Sequence, residues 1–169
     1  DIELEQEIEL DELLGRLQEQ LPAGIRIIEG RQITSAAKAL MAVLNSASYQ
    51  VRANLSLPLK DEKLQESIAA WLAREHVPYL RYSKKGKVEK DIRPWVKELS
   101  GKIQGEEAVF EIEVEMGNQG SVRPEEIVAS LCDMGNLPLD LEHLRIKRTG
   151  IYVSYNGQKL SPLDEASGK

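Results

Sequence analysis

The fold is decided by residues 49–72, which read YQVRANLSLPLKDEKLQESIAAWL. Apolar and polar residues alternate strictly over 49–57, which predicts a half-buried strand that Pro58 ends. Asp61 is positioned to cap the next segment, a predicted helix that cannot continue past Pro78. The apolar residues of this helix recur at the spacing of one face: Leu64, Ile68, Trp71 and Leu72. A strand followed directly by an amphipathic helix indicates an α+β domain.

A second strand and helix follow in the same order downstream. Residues 108–116 alternate apolar side chains with glutamates, which predicts another strand. Pro124 at a first helical position opens a helix that stops at Gly135. A last strand starts near Leu144, and Asn156-Gly157 signals a tight hairpin turn.

The connection between the two strand-helix pairs includes a predicted hairpin. The residues from Tyr79 to Tyr82 predict a strand that turns at Gly86 and returns through Val88. A helical turn is expected over Asp91 to Leu99, starting around Pro94 at a first helical position. Over residues 48–160 the order is therefore strand, helix, strand, connection, strand, helix, strand. This is the order of a ferredoxin-like split βαβ unit, an antiparallel sheet with both helices on one face.

The rest of the chain is divided into three segments. Residues 1–30 predict a strand, a helix and a second strand. We interpret them as the closing half of an incomplete N-terminal α+β unit, so the chain is expected to be a fragment. Residues 31–47 form a connecting segment with a short helix around Leu40. The tail over 161–169 is expected to be flexible.

The composition excludes several classes of site. Cys132 is the one cysteine, so an internal disulfide, a cluster-binding cysteine motif and a zinc ribbon are excluded. Neither the dinucleotide-binding nor the Walker spacing of glycines occurs. We interpret Cys132 as a core residue, the alternative being a reactive thiol, and both histidines, His76 at a helix end and His143 before a strand, as structural. No apolar run approaches the ~20 residues that span a bilayer, and a cytoplasmic localisation is expected.

Charge is distributed unevenly along the chain. The net charge of the 169 residues is −6, but residues 1–20 alone contribute −7. Residues 81–102 carry eight basic and three acidic residues, with aromatic residues interleaved. Ammonium groups neutralise phosphates and aromatic rings stack on unpaired bases, so residues 79–102 are the candidate binding segment. Its candidate contact residues, for RNA or for a partner protein, are Arg81, Lys84, Lys85, Lys87, Arg93 and Trp95.

Two of these interpretations have alternatives. The candidate segment is equally consistent with a solvated hairpin whose cations face the glutamates of the later strand, which are Glu111, Glu113 and Glu115. Those glutamates are expected to form a solvated face with Arg52 and Lys147 as cross-strand partners; the alternative is a divalent-metal site or a pair of acid-base carboxylates. A sheet surface of the RNA-recognition-motif kind is disfavoured, because glutamates there would repel phosphates.

Five strings of the sequence resemble a known family. They are DIELEQEIELDELLGRLQEQLPAGIRII (1–28), LMAVLNSASYQV (40–51), SKKGKVEKDIRPWV (83–96), GSVRPEEIVASL (120–131) and RIKRTGIYV (145–153). Together they make the chain similar, over essentially its whole length, to the bacterial domain of unknown function 2344, the radical SAM-linked family. DIRPWV and RPEEIVASL are the most specific strings, because a generic ferredoxin-like unit does not require them.

The resemblance implies association with a cobalamin-type radical SAM protein, either as its C-terminal portion or as a separate neighbour, in genomic settings often linked to RNA metabolism. It assigns the iron-sulfur cluster, S-adenosylmethionine and cobalamin to that partner and no cofactor to this chain. It also implies that family members carry an N-terminal section that precedes the residues present here.

The leading functional hypothesis is a non-catalytic accessory or substrate-presenting domain of a radical SAM protein, with RNA as its ligand. The second hypothesis is a protein-protein module whose acidic N-terminal strand or basic hairpin docks the radical SAM partner without nucleic acid. The third is a stand-alone enzyme, which the absence of any histidine, cysteine or phosphate-loop constellation disfavours.

Overall fold

The computed structural model describes residues 2–33, 39–83, 86–117, 120–156 and 158–165. The chain divides into two compact units. The central unit is Asn45–Ile151, and the terminal unit combines Asp1–Leu44 with Tyr152–Lys169.

The described residues form both helices and strands. The helices are α1 (Leu10–Gln20), α2 (Leu40–Val43), α3 (Asp61–Leu72), α4 (Pro124–Gly135) and α5 (Pro162–Glu165). The strands are β1 (Ser46–Asn54), β2 (Pro78–Ser83), β3 (Gly86–Asp91), β4 (Val96–Gln104), β5 (Glu107–Gly117), β6 (Gly120–Ser121), β7 (Arg145–Tyr155) and β8 (Gln158–Leu160). A short 3-10 helix, Arg93–Trp95, precedes β4. Within the described ranges, no helix has the length and apolar character needed to cross a membrane.

The main sheet of the central unit has the strand order β4-β5-β1-β7. β5 pairs antiparallel with β1 on one side and with β4 on the other, so Phe110 lies opposite both Val51 and Gly101. The connections that contain α3 and α4 therefore each join two strands that have a third strand between them. The chain is a mixed α+β fold with an antiparallel sheet, as the sequence predicted, and the strand order is compatible with a ferredoxin-like arrangement.

The core of the central unit joins one face of the sheet to α3 and α4. Val51, Phe110 and Trp71 are fully buried there. Trp71 Nε1 donates a hydrogen bond of 2.9 Å to Ser130 Oγ on α4, and the Ser130 hydroxyl donates to the Ile127 carbonyl at 2.8 Å. These bonds satisfy the polar atoms at the helix contact, where an unpaired buried donor would cost about 1–3 kcal/mol.

One strand of the main sheet differs from the sequence prediction, which gave this position to residues 79–82. The strand is β4, and its alternation is broken by a β-bulge between Val96 and Glu98. The bulge allows Val96 and Leu99, three residues apart, to be buried together. Gly101 occupies a further inward position without a side chain. The apolar signal of period two that marks a strand is therefore missing.

Residues 78–91 form a separate two-stranded sheet in which β2 pairs with β3. The predicted strand and its return are confirmed, but they pair with each other and not with the main sheet. Gly86 opens β3 with a φ of +116°, a conformation that favours glycine. The helical turn predicted around Pro94 is present as the 3-10 helix Arg93–Trp95, but it is shorter than expected, because residues 96–99 belong to β4.

In the terminal unit the predicted helix is present as α1, but its predicted flanking strands are absent: described residues 2–9 and 21–33 contain no strand. A strand is held by hydrogen bonds to a neighbouring strand, and neither segment makes such a ladder. Gln18 of α1 instead holds the second segment, accepting from the Ile27 N–H at 2.8 Å and donating to the Ile25 carbonyl at 3.1 Å.

Other elements of the terminal unit agree with the sequence more closely. α2 confirms the short helix around Leu40. β7 and β8 form the hairpin signalled by Asn156, whose φ is +49°, while Gly157 lies outside the described residues. The segment expected to be a flexible tail begins with α5, and residues 166–169 also lie outside the described part of the chain.

Candidate functional site

The hairpin β2–β3 presents two different faces, because opposed residues of an antiparallel pair project to the same side. The inner face carries Tyr79, Arg81, Val88 and Lys90. The outer face carries Leu80, Tyr82, Lys87 and Glu89. Arg81 and Lys90 bond to Glu126 and Ser121 of the central unit, which identifies the inner face as the one held against it.

Arg81 joins the hairpin to the start of α4. Its Nε donates to Glu126 Oε1 at 2.7 Å and its Nη2 to Glu126 Oε2 at 2.6 Å. Glu126 also accepts from the Arg123 N–H at 3.0 Å, so one carboxylate caps the helix and holds the hairpin. Burial raises the pKa of Glu126, but the hydrogen bonds from Arg81 and Arg123 lower it by a larger amount. The pKa of Glu126 therefore lies below its ordinary value. The pair is therefore charged at neutral pH.

Lys90 makes a second inner contact. Its Nζ donates to the Ser121 carbonyl at 2.7 Å and lies 4.6 Å from the centroid of the Trp95 ring. Gly120 allows this approach, since a Cβ there would lie 2.7 Å from Lys90 Nζ and 2.8 Å from the Trp95 ring. Burial and the positive charge of Arg81 hold the pKa of Lys90 below its ordinary value. Lys90 and Trp95 thus contact each other.

Asp91 and Arg93 form the base of the hairpin. Asp91 Oδ1 accepts from the Val77 N–H at 2.9 Å and the Arg93 N–H at 3.1 Å. The Arg93 guanidinium donates to the Leu72 carbonyl from Nη2 at 3.0 Å and from Nε at 3.2 Å, and to the Val96 carbonyl at 3.0 Å. Because Leu72 ends α3, Arg93 satisfies one carbonyl at the C-terminus of that helix and one at the start of β4.

The outer face is open to solvent. Tyr82 is 70% exposed and Leu80 is 42% exposed. Lys87 lies opposite Tyr82, with its Nζ 5.1 Å from the ring centroid. An exposed ring beside an ammonium group offers a surface for an unpaired base and a charge for a neighbouring phosphate.

The six predicted contact residues fall into three groups. Arg81 and Arg93 are bonded to groups inside the central unit, and Trp95 is half-buried. Lys87 lies on the outer face. Lys84 and Lys85 lie outside the described residues. Ligand contact by any of the six stays a prediction, but the two arginines would first have to break their internal bonds.

Two residues, one on α4 and one on the hairpin, have roles that the sequence did not predict. Glu126 is 45 positions from Arg81, so no local pattern links them. The available signal was the position of Glu126, third in a helix that opens with a proline, where a carboxylate caps the backbone. Tyr82 was recognised as one of the interleaved aromatic residues, but its exposure follows only from the pairing of β2 with β3.

The glutamates of β5 form side-chain bonds across the main sheet. Glu111 Oε1 accepts from Gln50 Nε2 at 2.8 Å, and Glu115 pairs with Lys97 of β4. Glu113, which was expected to face solvent, is 7% exposed and accepts a bond from the Ser46 hydroxyl. The prediction of a uniformly solvated glutamate face is therefore wrong at Glu113.

The predicted partner Arg52 bonds to a different glutamate. The strand register places Arg52 opposite Val109, so its guanidinium reaches the diagonal neighbour Glu107 at 3.2 Å. Arg145 also bonds to Glu107, and the bonds from Arg145 and then Arg52 lower the pKa of that carboxyl below its ordinary value. Within the described residues, no three or more histidine, cysteine or acidic side chains are grouped to hold a metal ion.

Both histidines lie beside aspartates. His76 follows α3 rather than ending it, since the helix stops at Leu72, and its Nδ1 lies 2.7 Å from Asp91 Oδ2. Burial raises the pKa of Asp91, but bonds from His76 and from backbone N–H groups lower it below its ordinary value. His143 lies 2.9 Å from Asp140 Oδ2 in the turn before β7.

Cys132 packs on the core, as predicted. Its thiol is half-buried and donates to the Leu137 carbonyl at 3.0 Å. Burial raises the pKa of Cys132, which keeps the thiol protonated at neutral pH and lowers its reactivity.

Comparison with known proteins identifies a family but no activity. Residues 1–124 match the model of a family described as "uncharacterized protein conserved in bacteria (DUF2344)". The matched range includes the hairpin and its base, and ends at the first residue of α4. No curated protein and no solved structure matches the chain.

Proposed function

This chain belongs to the bacterial family DUF2344, and we propose that it is a non-catalytic accessory domain that contacts RNA through the outer face of its β2–β3 hairpin. Its role is to present that RNA to a radical SAM partner, which supplies the catalytic cofactors. The radical SAM connection rests on the sequence resemblance, and the RNA contact rests on the hairpin.

The observation that carries the RNA contact is the pairing of Tyr82 with Lys87. The ring is 70% exposed, and an ammonium group lies 5.1 Å from its centroid. Contact with water stabilises a large exposed ring little, whereas stacking on an unpaired base is favourable. The inner-face bonds of Arg81 and Lys90 hold the hairpin in place, which limits the conformational entropy lost on binding.

The test is RNA retention by the full chain after the three lysines of residues 84–87 are replaced, with the inner-face Lys90 kept. The triple variant Lys84→Ala, Lys85→Ala, Lys87→Ala is compared with the wild type on total bacterial RNA at ~100 mM salt, where a few phosphate contacts strongly affect affinity. We expect the triple variant to bind about tenfold more weakly. Its thermal midpoint should be unchanged, because the Arg81 and Arg93 bonds are intact.

The matched control removes three exposed cations elsewhere in the central unit: Lys63→Ala, Arg74→Ala, Lys147→Ala. It changes the net charge by the same amount. An equal loss of RNA affinity in both triple variants would mean that binding depends only on the net charge of the protein. Undiminished binding by the hairpin variant would remove the basis of the proposal. Arg81 and Arg93 are left unchanged because their loss would disturb folding.

The radical SAM partner is tested separately by co-purification. The full chain is used to capture the radical SAM protein that it accompanies, with and without nuclease treatment. Capture that depends on RNA is expected if the domain presents RNA. Absence of capture under both conditions would contradict the partner assignment while leaving RNA contact to be judged by the retention assay.

A protein-protein module is the second candidate function, and exposed apolar side chains favour it. Val88 is 56% exposed and Leu80 is 42% exposed on the same hairpin. Such residues are common at protein interfaces. Capture of the radical SAM partner that survives nuclease and is lost in a Leu80→Ser, Val88→Ser variant would favour this function over RNA presentation.

A further inference from the structure

We infer that the hairpin recognises single-stranded RNA and discriminates against duplex RNA. This inference rests on the proposed function and names its substrate class. The discriminating group is the Tyr82 ring, and Lys87 supplies a charge that both kinds of RNA would accept.

The exposed ring is what separates the two substrates. Tyr82 lies on the outer face with 70% of its surface exposed. Its ring gains stacking energy only from a base that is not already stacked between neighbours. In an A-form duplex the bases are paired and stacked, and the surface offers mainly phosphates and hydroxyl groups. Tyr82 therefore contributes to binding of a single strand and contributes little to binding of a duplex.

Other aromatic rings near the hairpin are less available. Tyr79 is half-buried on the inner face. Trp95 is half-buried beneath the Lys90 ammonium group, and its ring edge lies close to Gly120. Among the described residues of the hairpin and its base, Tyr82 is thus the ring placed to receive a base. One ring predicts one stacked nucleotide and a short binding footprint.

The ammonium group of Lys87, which lies over one face of the Tyr82 ring, fits a single strand as well. Lys87 lies directly opposite Tyr82 in the register, so a base on the ring brings its own phosphate or the next one toward Nζ. The opposed residues Leu80 and Glu89 offer no cation to a second strand. The negative charge of the Glu89 carboxylate would repel the phosphates of a second strand bound to this face.

The experiment measures affinity for two RNAs of one length: a 12-nucleotide oligouridine and a 12-base-pair duplex of oligouridine with oligoadenine. The full chain is tested as wild type, Tyr82→Ala and Tyr82→Phe at one salt concentration. We expect Tyr82→Ala to bind the single strand about tenfold more weakly, a loss typical of one stacked base, and the duplex with unchanged affinity. Tyr82→Phe keeps the ring and should bind both RNAs as the wild type does.

The outcomes separate this inference from the proposed function. Equal losses on both RNAs, or no loss on the single strand, would overturn the inference. The proposed function is judged separately, and it stands if the hairpin lysine variant binds RNA more weakly than both the wild type and the charge-matched control. Failure of the wild type to bind either RNA would overturn both. Thermal midpoints of the two Tyr82 variants that equal the wild type exclude unfolding as the cause.

Discussion

At the scale of single residues, the string DIRPW at residues 91–95 stabilises the base of the hairpin. Asp91 accepts hydrogen bonds from two backbone N–H groups, Ile92 is fully buried, and Arg93 donates to the Leu72 carbonyl at the end of α3. Trp95 contacts Lys90 on the inner side of the hairpin. The string therefore fixes how the hairpin leaves and rejoins the central unit, and its basic residue is not a free cation.

Replacing Glu126 with Gln tests the anchor of the hairpin through its pH dependence. The pKa of Glu126 is lowered in the folded protein, so its contribution to stability is present above the ordinary glutamate pKa of about 4.3 and is lost as the pH falls through the folded pKa. We expect Glu126→Gln to lower the free energy of unfolding by about 2 kcal/mol at neutral pH. The difference from the wild type should shrink as the pH falls below about 4.

The control is Glu125→Gln, the same chemical change one residue earlier on α4. Glu125 contacts neither Arg81 nor the helix cap in the bonds described above, so its effect should be within about 0.5 kcal/mol at every pH. Urea unfolding at several pH values measures both variants. A difference for Glu126→Gln that is constant with pH would show that the carboxylate charge does not hold the hairpin.

Gly101 tests the packing of β4 on the core. A Cβ at this position would lie 2.9 Å from the Phe110 ring and 3.1 Å from the end of the Ile68 side chain. We expect Gly101→Ala to destabilise the protein by about 1–3 kcal/mol, because the inserted methyl group overpacks a filled site. Gly117→Ala, where a Cβ would meet no atom within 4 Å, is the control and should change stability little. Similar midpoints in thermal unfolding for the two variants would contradict the packing described here.

At the scale of elements, the sequence predicts most helices and strands because their side chains alternate regularly. β1, β5, α3 and α4 each show the period of their own structure, and each lies close to its predicted position. β4 shows no such period, because a bulge shifts the register and a glycine takes an inward position. The strands predicted around α1 fail for a different reason, since alternation indicates a face but provides no hydrogen-bonding partner.

The outer edge of β4 is covered by side chains of α3. Asp61, predicted as a helix cap, is the first residue of α3, and its Oδ1 accepts from the Ile103 N–H at 2.8 Å. Gln65 Nε2 donates to the Gly101 carbonyl at 2.7 Å. Edge strands with free backbone groups pair readily with other chains, so these two bonds protect the main sheet.

Removing the two α3 side chains that bond to β4 is expected to destabilise the edge of that strand locally. The double variant Asp61→Ala, Gln65→Ala should cost about 1 kcal/mol per lost bond and expose the edge. Hydrogen exchange of the Ile103 amide should become roughly fivefold faster or more. The control Glu62→Ala, Glu66→Ala removes exposed residues of the same helix one position along. Unchanged exchange at Ile103 in the first variant would show that the side chains do not protect the edge.

At the scale of the whole molecule, the hydrophobic core cluster of the described residues lies within the central unit. Its buried cluster runs from Ala47 to Leu139, within Asn45–Ile151. We therefore expect the excised segment 45–151 to unfold cooperatively and to keep the near-ultraviolet circular dichroism of its two tryptophans, as a single core of this size permits. A segment that lacks a cooperative transition would contradict the division into units.

The candidate site could be predicted from the sequence only in outline. Charge and aromatic content located the hairpin, because both are properties of a short segment. The sequence could not separate structural cations from exposed ones: Arg81 and Arg93 bond to Glu126 and Leu72, which are distant along the chain. The exposed pair of Tyr82 and Lys87 emerged only once the register of β2 with β3 assigned each side chain to a face.

The central claim is that lysines of the hairpin neutralise RNA phosphates, and the salt dependence of binding tests it most directly. The slope of log affinity against log salt concentration is measured for the wild type, for Lys84→Ala, Lys85→Ala, Lys87→Ala, and for Lys63→Ala, Arg74→Ala, Lys147→Ala. Each phosphate contact to a single strand contributes about 0.7 to the slope. We predict that the hairpin variant loses about 2 from the slope while the control keeps it. Identical slopes for all three proteins would contradict the account.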